Sequence, residues 1–415
     1  MPPIAKPDQY RALGLSTFAF TVSFAVWTLF SIIGVQIKQD LGLSDTEFGL
    51  LVATPVLTGS ISRMFLGIWA EKYGGRVVFP LQMLTTAVAV WMLTWAQSYA
   101  MFLLAALGLG LAGGSFIIGV SYVSRWFGAG QQGTALGIFG AGNVGAALTS
   151  FVAPFLLLAF GWETTVQIYA VVLALTAALF YALAKPDPVH AARGSAGAVT
   201  SLRAQLAPLR HLQVWRFSLY YFFVFGAFVA LASFLPRFYV GAYGLELTVA
   251  GTLAGLYALP GSVFRALGGW MSDKWGARRV MYLTFSSAMI LLSAMAYSGG
   301  FTMPLAVFVV LTVLLGFSMS LGTAAVFKHV PVYYPQHVGA VGGLVSMIGG
   351  LGGFVLPIAF GALLDVTGLW TAPFVLLALL VAGLTVWMHL SVRNMEQRTT
   401  GLIVDADSSA KLVGD

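Results

Sequence analysis

The chain has 415 residues, of which 59% are hydrophobic and only 8% charged. Soluble domains carry about 25% charged residues, so a water-covered exterior is excluded and the composition specifies an all-α polytopic membrane protein. A formal charge of +7 with no cysteine leaves no disulfide and no thiolate metal site, and the charge reads as membrane topology rather than as a nucleic-acid surface.

The opening residues MPPIAKPDQYRALGL lack a cleavage site after a short apolar core, so the first span is expected to stay as a helix. Twelve apolar spans are expected near 13–37, 46–69, 78–96, 100–124, 133–160, 165–184, 214–240, 248–272, 279–299, 303–330, 338–364 and 371–391. Spans of about 17–25 residues cross a bilayer, and the longer ones tilt or project from it. With the N-terminus inside, sixteen of the 21 Lys and Arg fall in cytoplasmic segments, whereas only Lys38 and Arg237 fall outside. The positive-inside rule therefore puts both termini in the cytoplasm.

Residues 59–76 read GSISRMFLGIWAEKYGGR and residues 261–278 read GSVFRALGGWMSDKWGAR. Both fit one template at a constant offset of 202 residues, about half the chain. Such a repeat divides the sequence into a six-helix half at 1–184, a cytoplasmic linker at 185–213, a second six-helix half at 214–392 and a cytoplasmic tail at 393–415. The linker is rich in Pro, Gly and Ala, then shows Leu202, Leu206 and Leu209 at helical spacing, which predicts a short amphipathic surface helix. The polar tail is expected to be unstructured.

Three charges fall inside the spans: Arg63, Arg265 and Lys328. Arg63 precedes Glu71, and Arg265 precedes Asp273, by eight residues. At 1.5 Å per residue each lies about 12 Å inside the cytoplasmic edge, close to the midplane. A charge there costs about 2.5–3.5 kcal/mol, and two guanidiniums about 8 Å apart add roughly 2 kcal/mol of repulsion. All fourteen acids are expected outside the core, so an anion bound between the arginines is the natural relief. The planar guanidinium fork favours a planar oxyanion such as nitrate, nitrite or a carboxylate. Lys328 is the only other titratable charge in the spans and is the candidate for coupling to protons, against a structural reading as a lysine snorkelling to the interface. His329 and His337 are expected at the interface rather than in a proton relay. The glycines of the fourth span, GLGLAGGSF at 108–116, follow no strand and are read as helix packing rather than a dinucleotide fingerprint.

The segments Gly67-x3-Glu71-x4-Arg76 and Gly269-x3-Asp273-x4-Arg278 resemble the loop motif of the major facilitator superfamily and its echo in the second half. An acid and basic groups at the membrane edge can latch helix ends in one conformation. Span five carries Gly137, Gly140, Gly142, Asn143 and Gly145; span eleven carries Gly342, Gly343, Gly349, Gly350, Gly352 and Gly353. Packing accounts for most of these glycines but not for the amide of Asn143. With one arginine in each of spans two and eight, the chain resembles the nitrate/nitrite porter family of that superfamily. The resemblance implies the major facilitator fold, with twelve transmembrane helices in two pseudo-symmetric halves. It also implies anion-binding roles for Asn143 and for aromatics, with Tyr221, Phe225 and Phe116 as the candidates beside Arg63 and Arg265.

The expected function is secondary active transport of nitrate, and of nitrite, across a bacterial inner membrane by a monomer, without cofactor, metal or nucleic acid. Val-Phe-Lys-His-Val-Pro at 326–331 resembles the proton-linked branch and favours nitrate/proton symport, in keeping with nitrate assimilation; nitrate/nitrite antiport is the alternative. A small-carboxylate porter for oxalate or formate, and a non-transporting anion sensor, use the same arginines. An enzyme is disfavoured, since the spans hold no paired carboxylates, metal cluster or nucleophile–base pair.

Overall fold

The computed structural model describes residues 5–43, 45–189, 206–245, 247–297 and 303–412. No strand occurs among them, as expected where lipid leaves each backbone polar group to be satisfied within its own segment. In chain order the α-helices are α1 Lys6–Thr28, α2 Phe30–Leu41, α3 Asp45–Tyr73, α4 Gly75–Met92, α5 Tyr99–Gly110, α6 Ser115–Ser124, α7 Gln132–Gly140 and α8 Gly145–Leu183. They continue with α9 Leu212–Tyr221, α10 Phe228–Tyr243, α11 Leu247–Val263, α12 Arg265–Met271, α13 Ala277–Ala296, α14 Leu305–Tyr333, α15 Val338–Thr367 and α16 Ala372–Leu412.

Nine stretches of the described residues are long and apolar enough to cross a membrane, against the twelve spans expected. One of them, Thr252–Ala296, is 45 residues long. It takes in two expected spans because the chain reverses at Gly276 without leaving helical hydrogen bonding. Gly276 and its repeat partner Gly74 have φ of 88° and 83° with ψ of 134° and 144°, a sparsely populated region that costs a residue with a Cβ about 1–3 kcal/mol. The final glycine of the repeated loop is thus a turn requirement. Gly161, with φ 79° inside α8, turns the chain between the fifth and sixth expected spans in the same way.

The last helix runs on to Leu412, past Arg393, where the sequence predicts an unstructured tail. A helix already nucleated within the membrane can propagate at no further nucleation cost. Residues 200–205 of the predicted amphipathic helix lie outside the described residues. The portion that follows is a 3-10 turn, Ala207–Arg210, leading into α9.

Large apolar side chains such as Leu158 and Ile290 face outward, at 83% and 67% exposure, which suits lipid rather than water. Glycines close the helix packing at the end of the molecule that carries the repeated loops. Gly67 of α3 and Gly339 of α15 abut each other's carbonyls, and Gly133 and Gly137 of α7 meet Gly269 and the Arg265 carbonyl. Each seam joins a helix from one half of the sequence to a helix from the other. Gly110 and Gly113 of the fourth span abut α3 at Pro55 and Gly59, which is the packing role expected of them.

Candidate functional site

The two repeat arginines are among the most deeply buried side chains, Arg63 at 1% and Arg265 at 3% exposure. Arg63 lies within α3. Its Nε donates to the Gly113 carbonyl at 2.9 Å and its Nη1 to the Ser346 carbonyl of α15 at 3.0 Å. Arg265 opens α12, directly after a break at Phe264. Its Nη1 donates to the Gly140 carbonyl at 3.2 Å and its Nη2 to the Tyr221 hydroxyl at 3.1 Å. Gly113 lies in the 3-10 segment Leu111–Gly114, and Gly140 stands directly before a second one, Ala141–Val144. Where the α ladder gives way to a 3-10 turn, carbonyls are left for other donors. The glycine-rich stretches of spans four and five therefore supply main-chain acceptors to the arginines.

Both guanidiniums converge on the same two rings. Arg63 lies 6.0 Å from Phe116 and 5.4 Å from Phe225, and Arg265 lies 5.6 Å from each. A cation over an aromatic face gains electrostatically, more so when desolvated. Phe225 sits in a π-helical stretch, Phe222–Ala227, directly after Tyr221. There its ring stacks on Tyr221 with centroids 5.0 Å apart and planes at 13°. Such π-bulges are frequent at functional sites. The structure thus gathers Arg63, Arg265, Tyr221, Phe225 and Phe116 in one place. Neither arginine forms an ion pair with a described carboxylate.

Asn143 lies in the 3-10 segment that follows Gly140, is 5% exposed, and makes no side-chain hydrogen bond with a described residue. The span-five and span-eleven glycines divide in role. Gly142 and Gly145 abut α1 at Phe20 and Thr21, while Gly349, Gly352 and Gly353 abut Tyr221, Phe222 and Val229. Gly140 and Gly350 face the arginines: a Cβ at Gly140 would stand 3.5 Å from Arg265 Nη1, and one at Gly350 3.3 Å from Arg63 Nη1.

Three side chains escape a sequence reading. Trp27 flanks Arg63 at 5.7 Å, held by its Nε1–H to the Pro55 carbonyl at 3.0 Å. Phe327 meets Phe116 and Tyr221 edge-on at 4.8 and 4.7 Å. Phe139 stacks on Phe116 at 5.8 Å. Apolar spacing alone marks Trp27 and Phe139 in the sequence, and many other aromatics share it; Phe327 falls in the segment at 326–331, where Lys328 rather than the ring stands out.

The acids of the repeat cap helices across the two seams. Glu71 accepts the Gly339 N–H at 2.7 Å in the first turn of α15. Asp273 accepts the Gly133 N–H at 2.9 Å, the Thr134 N–H at 2.6 Å and the Thr134 hydroxyl at 2.7 Å in the first turn of α7. A carboxylate at a helix N-terminus is favoured by the unpaired N–H groups and the dipole. Lys328, the candidate for coupling that the sequence weighs against a snorkelling lysine, pairs with Asp273 at 2.5 Å and donates to the Ala129 carbonyl. The sequence puts Asp273 in a loop beyond the core; the closed seam buries it, with 8% of its side chain exposed. His329 stacks flat on Phe217 at 5.1 Å and so is fixed by an aromatic wall. Arg76 lies over the Tyr181 ring at 5.3 Å, and Arg278 lines a separate cavity with His329, both apart from the paired arginines.

Comparison with known proteins gives a match to the family model "Major Facilitator Superfamily" over residues 15–307 and 247–402. A "Probable nitrate/nitrite antiporter NarK1" from Thermus thermophilus is 42% identical, over 95% of this chain and 94% of the relative. A "Nitrite extrusion protein" from Bacillus subtilis is 33% identical over 92% and 95%. A "Probable nitrate transporter NarT" from Staphylococcus epidermidis is 31% identical over 92% and 96%. Among solved structures, the human organic anion transporter MFSD10 superposes with a TM-score of 0.76 at 16% identity, covering 92% of this chain and 100% of that one. The transporter FucP in its outward conformation gives 0.73 at 18% identity, over 91% and 98%. At those identities the structural likeness speaks for the fold alone.

Proposed function

The chain belongs to the nitrate/nitrite porter family of the major facilitator superfamily, and from that premise we propose that it carries nitrate and nitrite across a bacterial inner membrane, with Arg63 and Arg265 as a two-sided clamp on the anion. The observation that carries this reading is the convergence of both guanidiniums on Phe116 and Phe225. A planar monovalent anion between them would accept charge-assisted bonds from both sides and lie against flat rings. The Asn143 amide would donate to a further oxygen, and the Tyr221 hydroxyl accepts from Arg265 and holds it in line.

Transport proceeds by alternating access, residues 1–184 rocking against residues 214–392 about the arginines. The carboxylates of Glu71 and Asp273 hold the cytoplasmic seams shut. Each bridges two halves, so opening to the cytoplasm must release Glu71 from Gly339 and Asp273 from Gly133 and Thr134. Lys328 belongs to this latch and, together with Asp273, is the titratable pair through which a proton gradient would act in nitrate/proton symport.

A second reading, nitrate/nitrite exchange, is supported by the absence of a described carboxylate beside the arginines and by the name of the Thermus relative. Nitrate uptake into proteoliposomes, with and without internal nitrite and across an imposed pH gradient, separates the two. Symport requires uptake driven by the gradient alone. Exchange requires internal nitrite and is indifferent to the gradient. No flux under either condition would leave an anion sensor and overturn the transport reading.

A further inference from the structure

A second basic site lies far from the clamp, at the cytoplasmic end of the C-terminal half. Gln213 and Arg216 of α9, Arg278 in the first turn of α13 and His329 of α14 line a cavity of about 50 Å³, closed on another side by Met388 and Val392 of α16. A single water needs about 10–15 Å³ measured in this way, so the space suits one small oxyanion or a few waters and excludes a larger organic group. The decisive donor is Arg216, since Arg278 has a further partner of its own. Arg216 is braced at 5.8 Å over the Trp387 ring, and its Nε is buried with no hydrogen-bond partner. Buried polar groups are rarely left so without a missing water or ion. Gln213 accepts the Tyr334 hydroxyl on its Oε1 at 3.3 Å, which leaves its N–H donors for the cavity.

The matching corner of the N-terminal half is composed differently. There Arg76, whose Nε is likewise buried without a partner, stands over Tyr181 in a cavity that also contains Asp187. Asp187 has a fully buried side chain and pairs with Arg125 at 3.2 Å. The N-terminal corner thus carries its own carboxylate among the arginines. No aspartate or glutamate lies among the described residues lining the C-terminal cavity.

We propose that the cavity between Arg216, Arg278 and His329 is a second anion site, which takes a phosphate group against the Arg216 guanidinium. Its position at the cytoplasmic membrane edge admits two sources, free inorganic phosphate or the headgroup of an anionic phospholipid, and the chemistry is the same for both. Guanidinium forks suit phosphate oxygens, and the methionine and valine wall would lie beside the first carbons of a lipid.

The test uses the full-length protein in detergent, following thermal stability on addition of sodium phosphate against sodium chloride at equal ionic strength. Phosphatidylglycerol against phosphatidylcholine forms the second arm. Stabilisation by phosphate identifies a free-ion site; stabilisation by phosphatidylglycerol alone identifies a headgroup site. In either case Arg216→Gln should weaken binding by about tenfold or more, the loss of a charge-assisted bond, while Arg63→Lys, altered only at the central clamp, should keep the response. Should Arg216→Gln not fold, Arg216→Lys keeps the charge without the fork and should still show weaker binding. Stabilisation by neither probe, or a response unchanged in the Arg216 variants, overturns the proposal.

Discussion

The two halves carry the same arginine at the same place in the same repeat, yet they hold it differently. Both described anchors of Arg63 are main-chain carbonyls, Gly113 and Ser346. Arg265 shares its fork between the Gly140 carbonyl and a side chain, the Tyr221 hydroxyl. Their latches are built from different residues. Asp273 receives two backbone amides, a hydroxyl and Lys328; Glu71 receives the Gly339 amide and has a further partner of its own, and the residue 202 positions before Lys328 is Trp126. A duplicated frame therefore gives the C-terminal copy a hydroxyl that can let go of an arginine and an ammonium–carboxylate pair that can let go of a helix.

The largest effect should come from changing the fork itself. Arg63→Lys and Arg265→Lys keep the charge but lose the rigid planar fork that holds a carbonyl on one edge and paired anion oxygens on another. Losing one charge-assisted bond costs about 1.5–3 kcal/mol, or roughly 10- to 150-fold in affinity. Nitrate binding measured by calorimetry should fall by that range in either variant, and uptake should fall with it, because both halves must close on the anion. Near-native affinity in either lysine variant would remove the clamp.

The latch comes next, and here the halves should separate. Asp273→Asn leaves Lys328 without its carboxylate in a place where only 10% of its side chain is exposed. Breaking a buried pair by removing one partner costs about 3–5 kcal/mol; about 1–3 kcal/mol is expected at the membrane edge, or five- to 150-fold towards a cytoplasm-open state. Glu71→Gln should shift the same balance by at least about 0.5–1.5 kcal/mol for the bond to Gly339 made neutral, with the loss of its further partner added. The chain has no native cysteine, so single introduced thiols along the seam can report accessibility without background. Equal accessibility in the two variants would show that Lys328 adds nothing to the latch, and unchanged pH-driven uptake in Lys328→Gln would separate it from coupling.

What is legible in the sequence, and what is not, follows from the kind of group that does the work. An arginine in an apolar run is visible because its cost is visible, and the offset of 202 residues is enough to pair Arg63 with Arg265. The turn glycines, the acids of the repeat and the stack of Tyr221 on Phe225, four residues apart near one helical face, are legible on the same terms. The carbonyls of Gly113, Gly140 and Ser346 are not, since every residue has one and only the local 3-10 geometry and crossing helices select these. Trp27 and Phe327 are hidden among many equally apolar neighbours. Lys328 stands out as a charge, but its partner reads as a loop residue: hydropathy counts Asp273 as exposed, and only the closed seam buries it. The extension of α16 to Leu412 escapes for a related reason, because composition describes a segment alone and not one continuing a helix already formed.

Removing the Tyr221 hydroxyl tests the difference between the arginines more gently. Tyr221→Phe keeps the ring stacked on Phe225 and deletes the bond to Arg265, worth about 0.5–1.5 kcal/mol. Nitrate affinity should fall about two- to 12-fold, with the Arg63 side of the site unchanged. The double variant Tyr221→Phe, Arg265→Lys should then lose little more than Arg265→Lys alone, since the hydroxyl acts through that guanidinium. Full additivity would mean that Tyr221 meets the anion directly rather than holding its arginine.

The smallest effect on the anion is expected at the outer members of the repeat, and it bounds everything above. Arg76 and Arg278 lie thirteen residues beyond Arg63 and Arg265, past the turn glycines and beyond the latch acids. Arg76 is stacked over Tyr181 and Arg278 borders the separate cytoplasmic cavity. Substitutions more than about 7–10 Å from a site, with no shared partner, leave its energetics unchanged within about 0.3–0.5 kcal/mol. Lysine in place of either should therefore keep nitrate affinity within about twofold while altering the rate at which the cytoplasmic side opens. The informative measurement is affinity and exchange rate on the same preparation. A rate change at constant affinity assigns the outer arginines to the latch. A drop in affinity comparable to that of Arg63→Lys would instead mean that the site responds to charge at long range, and that the fork is not what selects the anion.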